Sequence, residues 1–354
     1  MRRSGHGGIN AFLTVSCAIL CAGGAWAQGP SSVRPRLPEH VTPATVEAID
    51  RGLAYLVGVQ NRDGSWGNRM GLEAYPVAMT ALSGFAFLMD GNTTTQGRYA
   101  PQVDRACRYI LSSATSTGLI GREAVESRPM YGHGFSMLFL GELSGVVEDP
   151  RRQSEIQNVL RGAAQLASRS QSRLGGWLYS PDSRGDEGSV TITQLQGLRA
   201  CRNSGVEVAK RTIDEAMDYL AVSQNSDGGI AYTASSPGPS RAPITAAAVA
   251  CWLNAGLYDE PRMKRALAYA KRTILPSEPE QGHFYYAHLY MAQSVYVSND
   301  PYWGDYFPRL RDRLLANQAP DGSWFGDGIG EVYGTAVALI ILQLPYNCVP
   351  IMQR

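Results

Sequence analysis

Lysine is nearly missing from this chain: Lys210, Lys264 and Lys271 are all it has, and arginine carries the remaining positive charge. Codon bias accounts for that preference without a functional role. Charges of the two signs almost cancel, leaving +1 over 354 residues, and no basic run stands out. That argues against a nucleic-acid partner, whose affinity rests on clustered phosphate contacts. Cysteine is sparse and scattered. Cys107, Cys201, Cys251 and Cys348 lie too far apart for a compact Cys-x-x-Cys zinc site. They are expected as small buried thiols, because a free cysteine packs like a hydrophobe. No stretch beyond residue 27 is long and apolar enough to cross a bilayer. No metal and no cofactor is expected, and nothing marks a protein partner.

The first 27 residues read differently from the rest. Arg2-Arg3 opens them, an apolar run covers 9–22, and Ala25-Trp26-Ala27 is a small-x-small cleavage site. That is the pattern of a secretory signal peptide. The mature chain is expected to be secreted or periplasmic, with no transmembrane segment. Residues 28–43, rich in Pro and Ser, read as a linker. The body of the fold is expected over 44–345, with 346–354 as a C-terminal tail.

One short stretch recurs. Gln60-Asn61-Arg62-Asp63-Gly64-Ser65-Trp66 returns as Gln224-Asn225-Ser226-Asp227-Gly228-Gly229-Ile230 and as Gln318-Ala319-Pro320-Asp321-Gly322-Ser323-Trp324. A looser copy spans 171–177, with Gly175-Gly176 in place of Asp-Gly. Asp-Gly is a turn dipeptide in which Gly takes the positive φ that other residues resist. The glutamine is expected to bond the free carbonyls of the helix that ends there.

Each joint follows an amphipathic run and precedes an apolar one. Val46, Ile49, Leu53 and Leu56 share one face of the first run, whereas 75–89 is apolar nearly all round. Six such pairs are legible, joined at Gly64, Gly118, Gly176, Gly229, Gly282 and Gly322, a period of roughly 40 to 58 residues. The second joint, Thr117-Gly118-Leu119-Ile120-Gly121, and the fifth, Gln281-Gly282-His283-Phe284, lack the full signature. Half-polar helices belong on an outside wall and fully apolar ones must be buried on every side. The expected fold is all-α: an α/α toroid of six helix pairs, with inner and outer rings.

The joints at 60–66, 171–177, 224–230 and 318–324 resemble the QW-type repeats of the terpene cyclase and protein prenyltransferase superfamily. The resemblance implies the α/α toroid and, with it, a large apolar, isoprenoid-like ligand in a central cavity. Its catalytic signatures are not matched. The Asp-x-Asp-Asp run with which squalene-hopene-type cyclases protonate an alkene is absent, as is the Asp-rich magnesium motif of class I synthases. The zinc set of the prenyltransferases is not matched either. The fourth inner helix opens Ala242-Pro243-Ile244-Thr245, without Asp-x-Cys.

Because all inner helices run in one direction, their N-termini gather at one rim, where helix dipoles favour negative charge. Glu73, Glu187 and Glu331 stand just before or at three of these starts, as caps or as carboxylates facing the mouth. Tyr75, Tyr131, Tyr285, Tyr286 and Tyr333 recur beside them, as packing rings or as ligand contacts. His133 and His288 lie near the same rim and titrate near neutral pH. Any acid–base work is assigned to Glu187, His288, Glu331 and His133, and ligand contact to Glu73 and the five tyrosines. Three functions follow. The protein binds, or also transforms, an apolar lipid in the ring; or it is a carbohydrate-active α/α barrel using the rim; or it is a non-catalytic protein-binding scaffold.

Overall fold

Twelve α-helices joined by turns and longer loops make up most of the described residues in the computed structural model, which describes residues 37–67, 74–277 and 282–353. The expected signal, most of the expected linker and Glu73 lie outside the described residues. No helix among the described residues is long and apolar enough to cross a membrane.

The helices alternate in kind. The odd members are α1 (Pro43–Val59), α3 (Ala100–Ser112), α5 (Pro150–Ser170), α7 (Lys210–Val222), α9 (Pro261–Thr273) and α11 (Trp303–Ala316). Each buries one stripe and leaves charges on the other face. In α1 the stripe is Ile49, Leu53 and Leu56, and the helix opens on a Thr42–Thr45 capping box with Pro43 in its first turn. The even members are α2 (Pro76–Met89), α4 (Pro129–Ser144), α6 (Gly188–Asn203), α8 (Ala242–Asn254), α10 (Phe284–Val297) and α12 (Glu331–Gln343). These are buried nearly all round, apart from the end of α6 at Arg199, Arg202 and Asn203. In α2 every residue from Val77 to Met89 is buried.

The even helices close a ring. Each packs on the next, α2 on α4 and so on round, and α12 returns to α2. The approach is tightest between α4 and α6, where a Cβ on Gly134 would stand 2.7 Å from the backbone of Thr193. The odd helices form the outer layer: α3 packs on α2, α5 on α4, α9 on α8 and α11 on α10. The first helix, α1, packs on the last inner helix, α12, so the two ends of the repeat array seal the ring. The toroid expected from the sequence is the fold observed.

The joints explain the closure, and they correct one expectation. Gln60 Nε2 donates to Gly64 O of its own turn at 3.0 Å and to Gln102 O at 3.1 Å in α3, the next outer helix. Gln171, Gln224 and Gln318 repeat this, reaching Thr212 O, Arg262 O and Ala48 O. The glutamine thus staples one outer helix to the next, instead of capping the helix that ends before it. Gln318 makes the staple that closes the circle, since Ala48 belongs to α1. Each of the six joints turns at a positive-φ glycine: Gly64, Gly118, Gly175, Gly228, Gly282 and Gly322. In the third and fourth joints the turn therefore sits at the first glycine of the pair, not at Gly176 or Gly229. Trp66, Trp177 and Trp324 are buried, and each indole N–H donates to a carbonyl of the preceding outer helix.

Cys107, Cys201 and Cys251 are buried free thiols as expected, but Cys348 is exposed. It lies in the segment after residue 345, which does not trail away. That segment makes two 3-10 turns, Leu344–Tyr346 and Pro350–Met352, and buries Val349, Ile351 and Met352.

Candidate functional site

The inner helices begin at one rim, and their first N–H groups need acceptors. Four of the joints supply them to the inner helix of the pair before. Glu126, ahead of α4, accepts from Val77 N of α2 at 2.9 Å. Tyr179 O, ahead of α6, accepts from Met130 N of α4, and Tyr232 O, ahead of α8, accepts from Gly188 N of α6. Asp327, ahead of α12, takes both Tyr285 N and Tyr286 N of α10 at 2.9 Å. Burial raises the carboxyl pKa of Glu126 and of Asp327, and the backbone N–H bonds oppose that rise.

Glu187 caps its own helix. Its carboxylate accepts from Ser189 N at 3.0 Å and Val190 N at 2.9 Å, and from the Ser189 hydroxyl. It is fully buried. Tyr131 adds its hydroxyl to this group, 2.7 Å from Ser189 Oγ and 3.4 Å from Glu187 Oε2. Tyr286 and Tyr333 stand close by. Burial, then the neighbouring Tyr290, Glu187, Tyr131 and Tyr333, raise the Tyr286 phenol well above its usual value. Tyr131, Glu187, Tyr286 and Tyr333 are thus brought together across α4, α6, α10 and α12. Neither the Tyr286 nor the Tyr290 hydroxyl has a hydrogen-bond partner among the described residues.

The other expected residues lie elsewhere. Tyr75 is half-buried, with its hydroxyl 3.2 Å from Ser127 Oγ. Tyr285 is buried edge-on against Phe284, away from the Tyr286 group. Glu331 is half-buried as the first residue of α12, where its charge suits the helix dipole. Both histidines sit between the layers, against outer helices. His133 Nδ1 accepts from Ile120 N at 3.1 Å, and Nε2 stands 3.3 Å from Ala163 O of α5. The Ile120 donor fixes the neutral tautomer with hydrogen on Nε2. His288 Nδ1 pairs with the Tyr306 hydroxyl of α11 at 2.7 Å. Burial depresses them to about 4 and about 3, so both are neutral at pH 7. The structure does not bring either imidazole to the carboxylates of the mouth.

Outside this group lies an aromatic step that the sequence reading missed. Tyr179 and Tyr232 join hydroxyls at 2.5 Å, Arg128 lies 4.5 Å over the Tyr179 ring, and Tyr131 packs beside it. Glu126 and Asp327 were missed as well. Both stand three or four residues before an inner helix, and a search for acids at that offset would have found them.

The middle of the ring is filled. Leu82, Phe85, Phe135, Leu138, Leu289 and Ile340 converge there, with Met352 of the C-terminal segment among them. The void they leave is about 10 Å³, roughly the smallest that holds a water molecule. Glu142 Oε2 accepts from Ile351 N at 3.3 Å and holds the segment in place. Burial pushes the Glu142 carboxyl up to about 7.

No protein-family model matches the chain, and no curated protein matches it by sequence. Solved structures do share its fold. A variant of the type II terpene cyclase MstE from Scytonema, in complex with geranylgeranyl dihydroxybenzoate, superposes with a TM-score of 0.58 at 15% identity, over 86% of this chain and 98% of that one. A family 76 glycoside hydrolase from a bovine Bacteroides thetaiotaomicron strain gives 0.60 at 10% identity, over 86% and 78%. An α-1,6-mannanase of Salegentibacter, in complex with α-1,6-mannotriose, gives 0.57 at 9% identity, over 84% and 98%. The α/α toroid is common to all of them.

Proposed function

We propose that this protein binds an apolar, isoprenoid-like molecule inside the ring, and that residues 346–353 occupy that place in the closed form described here. The observation that carries this reading is the makeup of the centre. Six apolar side chains from four inner helices converge on Met352, a flexible side chain on a short terminal segment rather than on the ring itself. An inner wall of this kind gives a hydrocarbon a favourable transfer from water, about 25 cal/mol per Å² of apolar area buried. The fold likeness to a cyclase solved with a geranylgeranyl compound supports the ligand class.

In the same reading the protein binds without cyclising. Glu126, Glu187 and Asp327 at the mouth already accept backbone N–H groups, and an acid that protonates an alkene needs a free proton aimed into the cavity. We further propose that the protein acts outside the cytoplasm, as the pattern of residues 1–27 suggests.

The test is native mass spectrometry and a binding titration with geranylgeraniol, on the full chain and on a chain ending at residue 345. The shortened protein is expected to bind at least tenfold more tightly. No binding by either form would reject the proposal.

A second reading rests on a separate observation. The step of Tyr131, Tyr179 and Tyr232 with Arg128 is the kind of surface on which a sugar ring stacks. The mannan-active toroids of similar fold lend it support. Stabilisation by α-1,6-mannotriose that Tyr179→Ala removes would favour it over the lipid reading.

A further inference from the structure

Between α6, α7 and α8 the wall of the toroid leaves a cavity of about 520 Å³. That lies within the roughly 300–1,000 Å³ of small-molecule sites. It exists because α7 rests only lightly on α6, whereas α9 packs closely on α8. Its walls are apolar. Leu195 comes from α6, Cys251 from α8, Ile213 and Met217 from α7, and Val208 and Leu257 from the adjoining turns.

Its mouth is charged, and the charges do not cancel. Lys210 and Asp214 neutralise each other at 2.6 Å. Arg199 and Arg202 then face Asp218. Arg199 is half-buried, and among the described residues neither arginine has an ion-pair partner; Glu142 feels the charge of Arg199 from beyond ion-pair distance. Helix α7 also starts at this mouth, with Ala209 as its first cap and no side chain to satisfy its leading N–H groups. One more group points to a ligand. Asn254, which lines the cavity, has a buried Nδ2 without a hydrogen-bond partner among the described residues, and a buried unpaired donor carries a desolvation cost that an acceptor would relieve.

From these features we infer that the cavity is a binding site for a single-chain anionic amphiphile, a free long-chain carboxylate. Its tail packs against Leu195, Ile213, Met217 and Cys251. Its head is neutralised by Arg199 and Arg202 and accepts a hydrogen bond from Asn254. The site is separate from the ring's centre. Gln196 borders both spaces and donates to Gln293 Oε1 at 3.0 Å, forming the partition between them.

Dodecanoate is the probe, titrated calorimetrically below its micellar concentration into the full chain, with dodecanol as the uncharged control. Dodecanoate is expected to bind at least tenfold more tightly than dodecanol, and Arg199→Ala combined with Arg202→Ala is expected to erase that preference. Met217→Trp fills the cavity from its outer wall and should weaken dodecanoate at least tenfold. Ile213→Trp does the same from the neighbouring turn, and whichever variant keeps the wild-type Tm is read. A chain ending at residue 345 should bind dodecanoate as the full chain does, which separates this site from the centre. No binding by the wild type overturns the inference. So does undiminished binding in the folded cavity-filling variant, or equal affinity for the two probes.

Discussion

Ile120 donates its backbone N–H to His133 Nδ1 at 3.1 Å, in the place where four other joints use a threonine. Trp66, Trp177, Ile230 and Trp324 each donate their backbone N–H to the hydroxyl of Thr80, Thr191, Thr245 or Thr335. Thr80, His133, Thr191, Thr245, His288 and Thr335 are the fourth or fifth residues of the six inner helices. His133 therefore does the threonine's work in the second joint, with a longer side chain that also reaches α5. His133→Ala is expected to leave the buried Ile120 N–H unpaired and to lose the contact with α5, at a cost of about 1–3 kcal/mol. Urea denaturation measures it, and an unchanged midpoint would dismiss the structural role.

The buried histidines set an acid limit on stability. Each has a folded pKa below its ordinary value of 6.5, near 4 for His133 and near 3 for His288, with burial the first cause. The unfolded chain takes up protons below pH 6.5 that the folded chain refuses. Their contribution is fully present above pH 6.5 and is lost as pH falls through the folded values, on the order of 3–5 kcal/mol for each. In His133→Asn the amide oxygen takes the Nδ1 position and does not titrate. Its stability should fall less steeply than the wild type's between pH 6.5 and 4.5. Parallel curves would count against the assignment.

The fold was legible because its signals are local. An Asp-Gly turn and a periodic apolar stripe declare themselves within a dozen residues, and a repeat multiplies them. The rim was less so, because Glu126 and Asp327 cap helices that precede them by some 40 to 50 residues. The mirror error concerned the histidines. Their chemistry suggested a proton site, but His133 takes the place of a threonine in its joint and His288 bonds Tyr306 of the outer layer. The C-terminal segment is too short for any periodicity to show, and Ile351 and Met352 are buried only because the ring end is there to receive them. The cavity beside α7 depends on how lightly one helix rests on another, which no residue pattern encodes.

Gly322 should be the least replaceable residue of the closing joint. Its φ is +91°, and a Cβ there would lie 2.5 Å from Arg51 O of α1. Gly64 is alike, with Arg105 O at 2.4 Å. Valine at either position meets backbone that cannot swing aside, and the unfavourable φ adds to the clash. Gly322→Val and Gly64→Val are each expected to destabilise by about 3 kcal/mol or more. Because Gly322, in the joint between α11 and α12, packs onto α1, the loss there should also expose the chain to proteolysis near both ends. Wild-type melting in both variants would contradict the staple.

Export is checked at the N-terminus. Cleavage after Ala27 would leave Gln28 as the first residue of the mature protein. Edman sequencing or intact-mass measurement on protein from a periplasmic or culture fraction reads this directly. An exported chain still starting at Met1 would refute it.

The carboxyl of Glu142 should govern how firmly the C-terminal segment is seated. Glu142 is buried, its Oε2 accepts from Ile351 N, and Oε1 has no partner among the described residues. Burial raises its pKa from 4.5 to about 7, opposed by the Ile351 bond and by Arg199. The folded state thus holds this proton more tightly than the unfolded one. That contribution is fully present below pH 4.5 and is lost as pH rises through 7. Glu142→Gln keeps an acceptor for Ile351 and removes the charge. The variant should match the wild type near pH 4.5 and exceed its stability at pH 8 by on the order of 1–3 kcal/mol. Comparing the two proteins at each pH cancels the histidine effect, which runs the other way. The same charge loosens the segment's hold, so limited proteolysis should release the last residues of the wild type faster at pH 8 than at pH 5, and those of the variant equally at both. A wild type more stable than Glu142→Gln at pH 8 would show that the ionised carboxylate is the better latch.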